Sequence, residues 1–367
     1  MKSIPFLVLN RQYKEIKDQI GLAINRVLNS QYFILGNELS KFEDEFAKYL
    51  GVKHVVGVNS GTDALIMALK VLKIGKGDEV ITPTQSFIAT TLAITEVGAT
   101  PIFIDSNPDT FLIDSDAIEA KITKHTKAIL PVHLYGAPCN MKKIMDIAKK
   151  HKLYIIEDAC QAHGAAINNQ KVGTFGTIGT FSFYPGKNLG AYGDAGAICT
   201  NDDVLFEELI MYRNYGQKKK YYHTKIGINS RLDEIQAAIL TVKLPYLHSW
   251  NIKRNNIAEL YRQHLHKTIK TQKIIDNGIS SYHLFVIEVD NRNKLKDFLE
   301  KNGVGTLIHY PVPIHLQECY ANLGYKKGDF VTAEESAKKI LSLPMYPELT
   351  ENEVKYIAQL INQFYSF

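Results

Sequence analysis

The chain has 367 residues, of which 45% are apolar, 10% aromatic and 22% charged, the composition of a folded globular protein. Its 43 basic and 38 acidic residues leave a formal charge of +5, too balanced for a nucleic-acid surface. Cys139, Cys160, Cys199 and Cys319 form no CxxC pair, so neither a metal site nor a disulfide framework is expected.

In chain order, the stretch MKSIPF carries one basic residue and no long apolar run, and nowhere do 18 apolar residues follow one another. A cytoplasmic chain without membrane insertion is expected. Residues 38–50 put Leu39, Phe42, Phe46 and Leu50 on one helical face, ended by Gly51. An apolar strand over 54–58 leads into the turn Asn59-Ser60-Gly61-Thr62-Asp63 and a helix over 64–73. Strands over 79–83, 101–104, 128–131 and 153–158 then alternate with helical stretches over 86–97, 115–122 and 141–151. Uninterrupted apolar strands between amphipathic helices specify a mostly parallel sheet covered on both faces. Sites in such sheets lie beyond the strand C-termini, which gathers Ser60, Ser86, Phe87, His133 and Asp158 at one edge. The glycine-dense run 173–196 suits tight turns around a bound group and not a helix. A helix over 231–247, kinked at Pro245, closes a large domain over residues 1–250. Residues 251–367 mix a long helix, strands near 282–289 and 306–309, and helices over 294–301, 334–340 and 351–364, which specifies a smaller α+β domain.

Lys187 lies between Pro185-Gly186 and Asn188-Leu189-Gly190. A loop lysine is commonly no more than a solvated charge. Glycine and aromatic neighbours favour a cavity wall instead, where a desolvated amine becomes a nucleophile toward an aldehyde. Asp158 ends a strongly apolar strand. It is either a turn-capping carboxylate or a buried anion that keeps a pyridine nitrogen protonated, so that the ring withdraws electrons from an adjoining carbanion. Ser60-Gly61-Thr62, at a strand-to-helix junction, offers a phosphate backbone N–H groups, hydroxyls and a positive helix end, although many plain helix caps look alike. Ser182, five residues before Lys187, adds a hydroxyl. An imine-forming amine, a pyridinium partner and a phosphate cradle converge on one small molecule, pyridoxal 5′-phosphate (PLP).

The strings EDACQAHG over 157–164 and FSFYPGKNLG over 181–190 resemble those of the DegT/DnrJ/EryC1/StrS family of nucleotide-sugar aminotransferases. Similar matches run nearly end to end: PFL at 5–7, YFILG at 32–36, NSGTDAL at 59–65, GINSRLD at 227–233 and HYPVPIHLQ at 309–317. The resemblance implies a fold type I PLP-dependent transferase of the α/β class. Its large domain would have a mostly parallel mixed sheet, and its small C-terminal domain would be α+β. It implies Lys187 as the Schiff-base lysine, Asp158 on the pyridine nitrogen and Gln161 on the phenolic oxygen. It implies Gly61, Thr62 and Ser182 as the phosphate cradle and Phe87 as the cover of the cofactor ring. Asn229 would be a phosphate ligand reaching across from a second subunit, hence a homodimer with shared sites. His163, Tyr184, His309 and His315 fall in segments expected on the sugar side, with a structural hydrogen-bonding role as the alternative for the histidines.

Sugar dehydratases of this family have a histidine where Lys187 stands, so the resemblance implies a transaminase, with glutamate as donor. Tyr184 looks like the branch that aminates C3 of dTDP-linked 3-keto-6-deoxyhexoses, giving a dTDP-3-amino-3,6-dideoxyhexose for surface glycans. Amination at C4 is the alternative, as is a PLP-binding regulatory protein without turnover. No arginine follows Arg292, which argues against an amino-acid aminotransferase that clamps a carboxylate from its C-terminal domain.

Overall fold

A computed structural model describes residues 3–366. The main sheet has seven strands: β1 (His54–Val58), β2 (Glu79–Pro83), β3 (Thr100–Ile104), β4 (Thr126–Ile129), β5 (Tyr154–Asp158), β6 (Ile178–Ser182) and β7 (Gly196–Thr200). Their order is β1-β7-β6-β5-β4-β2-β3. β7 alone runs against the rest, antiparallel to both β1 and β6, and the remaining neighbours are parallel. Each strand is a short apolar run, and β7 is buried at every position, which is the signature of a sheet with both faces covered. The glycine-dense stretch is therefore partly strand. A Cβ on Gly179 in β6 would sit 2.0 Å from the Gly173 carbonyl oxygen, so glycine serves close chain approach there.

The helices are α1 (Leu9–Ser30), α2 (Asn37–Leu50), α3 (Gly61–Val71), α4 (Ala89–Glu96), α5 (Met141–His151), α6 (Asp203–Tyr212), α7 (Glu234–Lys243), α8 (Leu247–His264), α9 (Arg292–Lys301), α10 (Val331–Lys339) and α11 (Glu351–Phe364). α3 packs on β6 and β7, and α5 on β4 and β5. Phe42 and Phe46 of α2 meet Phe183 and Phe181 edge to face, at 5.3 and 5.2 Å between ring centres. A second core gathers Ile257, Tyr261, Leu295, Leu299 and Ile357 over a three-stranded antiparallel sheet. That sheet is β8 (Lys270–Thr271), β9 (Phe285–Glu288) and β10 (Ile340–Leu343). Ile4 joins this core and bridges to Val304. Among the described residues no helix is long and apolar enough to cross a membrane.

Several expected elements differ. The stretch 115–122 holds only the short 3₁₀ turn Glu119–Lys121, where the Asp114 side chain accepts the Asp116 N–H and competes with helix formation. The stretch 306–309 is not a strand. It touches β10 through one bridge, Leu307 with Ser342, while the backbone before it pairs with Ile4 and Pro311 follows. The helix expected at 231–247 begins at Glu234 and gives way at Pro245 to a 3₁₀ turn, since proline offers no N–H to continue it. The helix expected over 86–97 starts only at Ala89, and Ile340 belongs to β10 and not to α10. α1 and α6 were not expected. The burial of Ile16, Ile20, Ala23 and Val27 shows that α1 does carry the spacing of a helix.

Glu234, 2% exposed in the first turn of α7, caps a different helix. Its carboxylate accepts the N–H groups of Gly36, Glu38 and Leu39 at 2.7, 2.8 and 3.1 Å and so anchors the start of α2. Glu234→Ala is expected to lower stability by about 2 kcal/mol, the cost of buried donors left unmade, seen as a lower urea midpoint.

Candidate active site

A cleft of about 710 Å³ opens beyond the C-terminal ends of the parallel strands. One wall comes from the β1–α3 turn, the segment after β2 and the ends of β5 and β6. The facing wall brings His283, Leu307, His309, Tyr310 and Met345, with Phe6 and Leu7 at the rim.

β5 ends in two adjacent carboxylates that face opposite sides, as the strand pleat requires. Asp158, 5% exposed, faces the cleft. Its Oδ2 accepts from the Thr90 hydroxyl at 2.8 Å and its Oδ1 from the Cys160 N–H at 3.1 Å. Ser86 and Thr90 hydroxyls are 2.8 Å apart and extend that chain. Glu157 turns the other way and accepts the N–H groups of Gly173, Phe175 and Gly176. His133 is fully buried against Glu157, with Nε2 3.0 Å from Oε2. Its Nδ1 accepts from the Cys139 N–H, which leaves the proton on Nε2. His133 therefore buttresses the back of the strand and does not line the cleft.

At the β1–α3 turn, Ser60 caps the helix by accepting the Asp63 N–H at 3.1 Å. The first-turn N–H groups of α3 have no helical acceptors, and Ser60, Gly61 and Thr62 all line the cleft with Ser182 beside them. A Cβ on Gly61 would lie 2.6 Å from the Ser182 Cβ and 3.0 Å from the Cys160 Sγ. The cradle closes only around glycine.

Lys187 sits on the turn that follows β6 and is half-buried, facing the cleft. Burial lowers its pKa from the usual lysine range, opposed by the negative charge that Cys160 and Asp158 can carry. Among the described residues no ion pair joins Lys187 to Asp158. Gln161 accepts the Tyr135 N–H at 2.8 Å and donates to the Tyr310 hydroxyl at 3.2 Å. The Phe87 ring is 50% exposed and 5.6 Å from that of Tyr310. Tyr184 is exposed at the mouth. His309 lines the cleft with Nδ1 2.8 Å from the Ser342 hydroxyl. Burial, helped by the charge of Lys187, pushes its pKa down to about 4.

Two of the expected sugar-side histidines are elsewhere. His163 is 1% exposed with its ring 5.5 and 5.6 Å from those of Phe181 and Phe183, a place in the aromatic core behind β6 and not in the cleft wall. His315 is buried between the Thr84 hydroxyl, 2.6 Å from Nδ1, and Glu334, 3.1 Å from Nε2. It ties the segment that carries Phe87 to α10. Asn229 is exposed and bridged to Asn214, outside this chain's cleft. His283, Tyr310 and Thr90 were not anticipated. His283 and Tyr310 arrive from chain regions whose place only the tertiary fold sets, and Thr90 has no local signal beyond its helix.

The donor set fits PLP. The glycine-only cradle at a helix N-terminus suits a phosphate, the buried carboxylate suits a protonated ring nitrogen, and the depressed lysine suits an aldehyde. The whole fold superposes with a TM-score of 0.97 on S. venezuelae DesV, solved in complex with a ketimine intermediate, at 43% identity over 99% of each chain. Fold and site together define a fold type I PLP-dependent aminotransferase. The model of the DegT/DnrJ/EryC1/StrS aminotransferase family matches residues 14–362, and the chain belongs to that family. It is 46% identical to a pleiotropic regulatory protein of Geobacillus stearothermophilus over 99% of both chains. It is 45% identical to the dTDP-3-amino-3,6-dideoxy-alpha-D-galactopyranose transaminase of Aneurinibacillus thermoaerophilus, over 98% of this chain and 99% of that one.

Gly61→Ala is expected to weaken PLP binding at least about tenfold, measured by titrating cofactor into the apoprotein, because the methyl group intrudes on the cradle. For His309, a lowered pKa favours the neutral ring, so nitrogen NMR should show it unprotonated at pH 6 and charging only toward about pH 4.

Proposed function

We propose that the chain transfers an amino group from L-glutamate to C3 of a dTDP-3-keto-6-deoxyhexose, giving a dTDP-3-amino-3,6-dideoxyhexose for surface glycan assembly. The observation that carries this reading is Lys187 beside, but not paired with, Asp158 in a cleft whose described lining holds no arginine. Such a lining suits a neutral sugar at the reacting end better than a carboxylate held by a bidentate clamp. The transaminase of Aneurinibacillus thermoaerophilus supports C3 as the position.

In this reading Ser60, Gly61, Thr62 and Ser182 hold the phosphate, Phe87 covers the ring, and Gln161 reaches the phenolic oxygen. Bound PLP supplies an electron sink for the carbanion at the reacting carbon. Asp158 holds the proton on the ring nitrogen. Lys187 Nζ would hold the cofactor's aldehyde carbon in the resting enzyme and, as a free amine, would take the proton from the donor Cα. Its lowered pKa makes the neutral amine available for that transfer near neutral pH. Tyr184 and His309 stand on the sugar side, with His309 as a neutral donor or acceptor. Asn229 would complete the phosphate site of a second copy, so the working unit is a homodimer.

The Geobacillus stearothermophilus relative carries a regulatory name, which favours a second reading as a PLP-binding regulator. The two separate cleanly. Purified protein with PLP and glutamate should release one keto acid per site without sugar, and then aminate dTDP-3-keto-6-deoxyglucose or its C4 epimer. Lys187→Ala should lower turnover by about 10³-fold. Product formed only from a 4-keto sugar would reject C3 amination. No keto acid at all would reject the enzyme reading.

A further inference from the structure

Lys243, on α7, is a buried cation for which the chemistry above has no use. It is 1% exposed, and among the described residues it forms no ion pair. Its Nζ donates to the Gly190 carbonyl at 2.6 Å and lies 4.1 Å from the centre of the Tyr192 ring. An unpaired ammonium is expensive to bury, and an apolar side chain of the same length would fit the helix at less cost.

The two groups it touches stand at the far end of the turn that presents Lys187. That turn is closed on itself. The Lys187 N–H donates to the Tyr184 carbonyl and the Ala191 N–H to the Phe183 carbonyl, both at 2.8 Å. A Cβ on Gly190 would meet the Pro185 carbonyl oxygen at 2.4 Å, so the two limbs touch around Lys187. Asn188 secures the middle, donating to Asn251 Oδ1 at 2.9 Å and the Ser281 carbonyl at 2.7 Å. Gln236, also on α7, accepts the Tyr192 N–H at 2.8 Å. These other ties are neutral. The bond from Lys243 to Gly190 is charge-assisted, and such bonds are about twice as strong as neutral ones.

We propose that Lys243 is a positioning residue for Lys187: its ammonium, held on the Gly190 carbonyl and braced by the Tyr192 ring, locks the closed turn 185–190. The turn then delivers Lys187 Nζ to one place in the cleft. Burial lowers the Lys243 pKa to about 8, which still leaves it mostly protonated at neutral pH. This role rests on Lys187 being the amine that holds PLP, and the experiment separates the two ideas.

Borohydride reduction of the wild-type holoprotein, followed by peptide mass spectrometry, should place the cofactor on Lys187. A label on another residue rejects that assignment and the clamp with it. Lys243→Met keeps the stem and removes the donor. In the holo variant, amides of 184–192 should exchange with solvent about tenfold faster than in wild type. The half-reaction with glutamate should slow about tenfold while half-saturation stays within about twofold. Lys243→Arg, which keeps a cationic donor, should recover part of the rate. Tyr192→Leu leaves the Gly190 bond and removes its brace, so it should show both effects to a smaller degree even if the methionine variant does not fold. Unchanged rate, with or without faster exchange, overturns the clamp, as does a slower rate with unchanged exchange of 184–192.

Discussion

A carboxylate taken out of water without a cation is costly, and the architecture is arranged around one that is kept that way. Asp158 is 5% exposed, and among the described residues its carboxylate accepts from the Thr90 hydroxyl and the Cys160 N–H while no cation pairs with it. Those two bonds hold its direction without neutralising its charge. The lysine that shares the cleft does not pair with it. In the proposed reading a cationic ring would neutralise the Asp158 carboxylate while the cofactor's aldehyde engages the lysine, so that cofactor binding would complete an arrangement the polypeptide leaves open. The neighbouring Glu157 shows the contrasting solution on the other face of the strand, where three N–H groups and His133 satisfy the carboxylate completely.

Both walls of the cleft use buried cations against carbonyl oxygens. Lys243 holds the turn of Lys187 on one side. On the other, Arg254 of α8 donates to the carbonyls of Tyr282 and Met345 at 3.0 and 2.8 Å, beside His283. Burial lowers its pKa to about 10, with the charge of Glu348 opposing. A carbonyl clamp of this kind fixes backbone and leaves side chains free to face the ligand. That division suits segments that must be placed accurately yet cannot be built as helix or strand.

The sheet, and the gathering of Ser60, Asp158 and Lys187 at one cleft, were legible in the sequence because their signals are local. Strand runs such as 79–83, the cap at Ser60 and the strand end at Asp158 depend on neighbours within a few residues. Lys187 was legible from its glycine and aromatic surroundings. The places of the histidines expected on the sugar side were not. His163 and His309 have equally suggestive neighbours, and only the fold sends one behind β6 among phenylalanines and the other into the cleft. His315 likewise sits in a matched motif, yet its partners Thr84 and Glu334 are set by long-range packing. The missing strand at 306–309 has the same cause: its one bridge is from Leu307 to Ser342, and the backbone just before it, Gly303 to Gly305, pairs with Ile4, some three hundred residues away.

That last pairing governs the order of assembly. Phe6 and Leu7, which line the mouth of the cleft, are held in place by the adjoining contact of Ile4 with Val304 and Gly305. During synthesis the first residues leave the ribosome long before their partners do, and a contact of such sequence separation is among the slowest to form. The main sheet and its carboxylate are complete once β7 has emerged at Thr200. Between the emergence of Thr200 and that of Val304 and Gly305 the nascent chain thus carries a half-site whose Ile4 contact is still open.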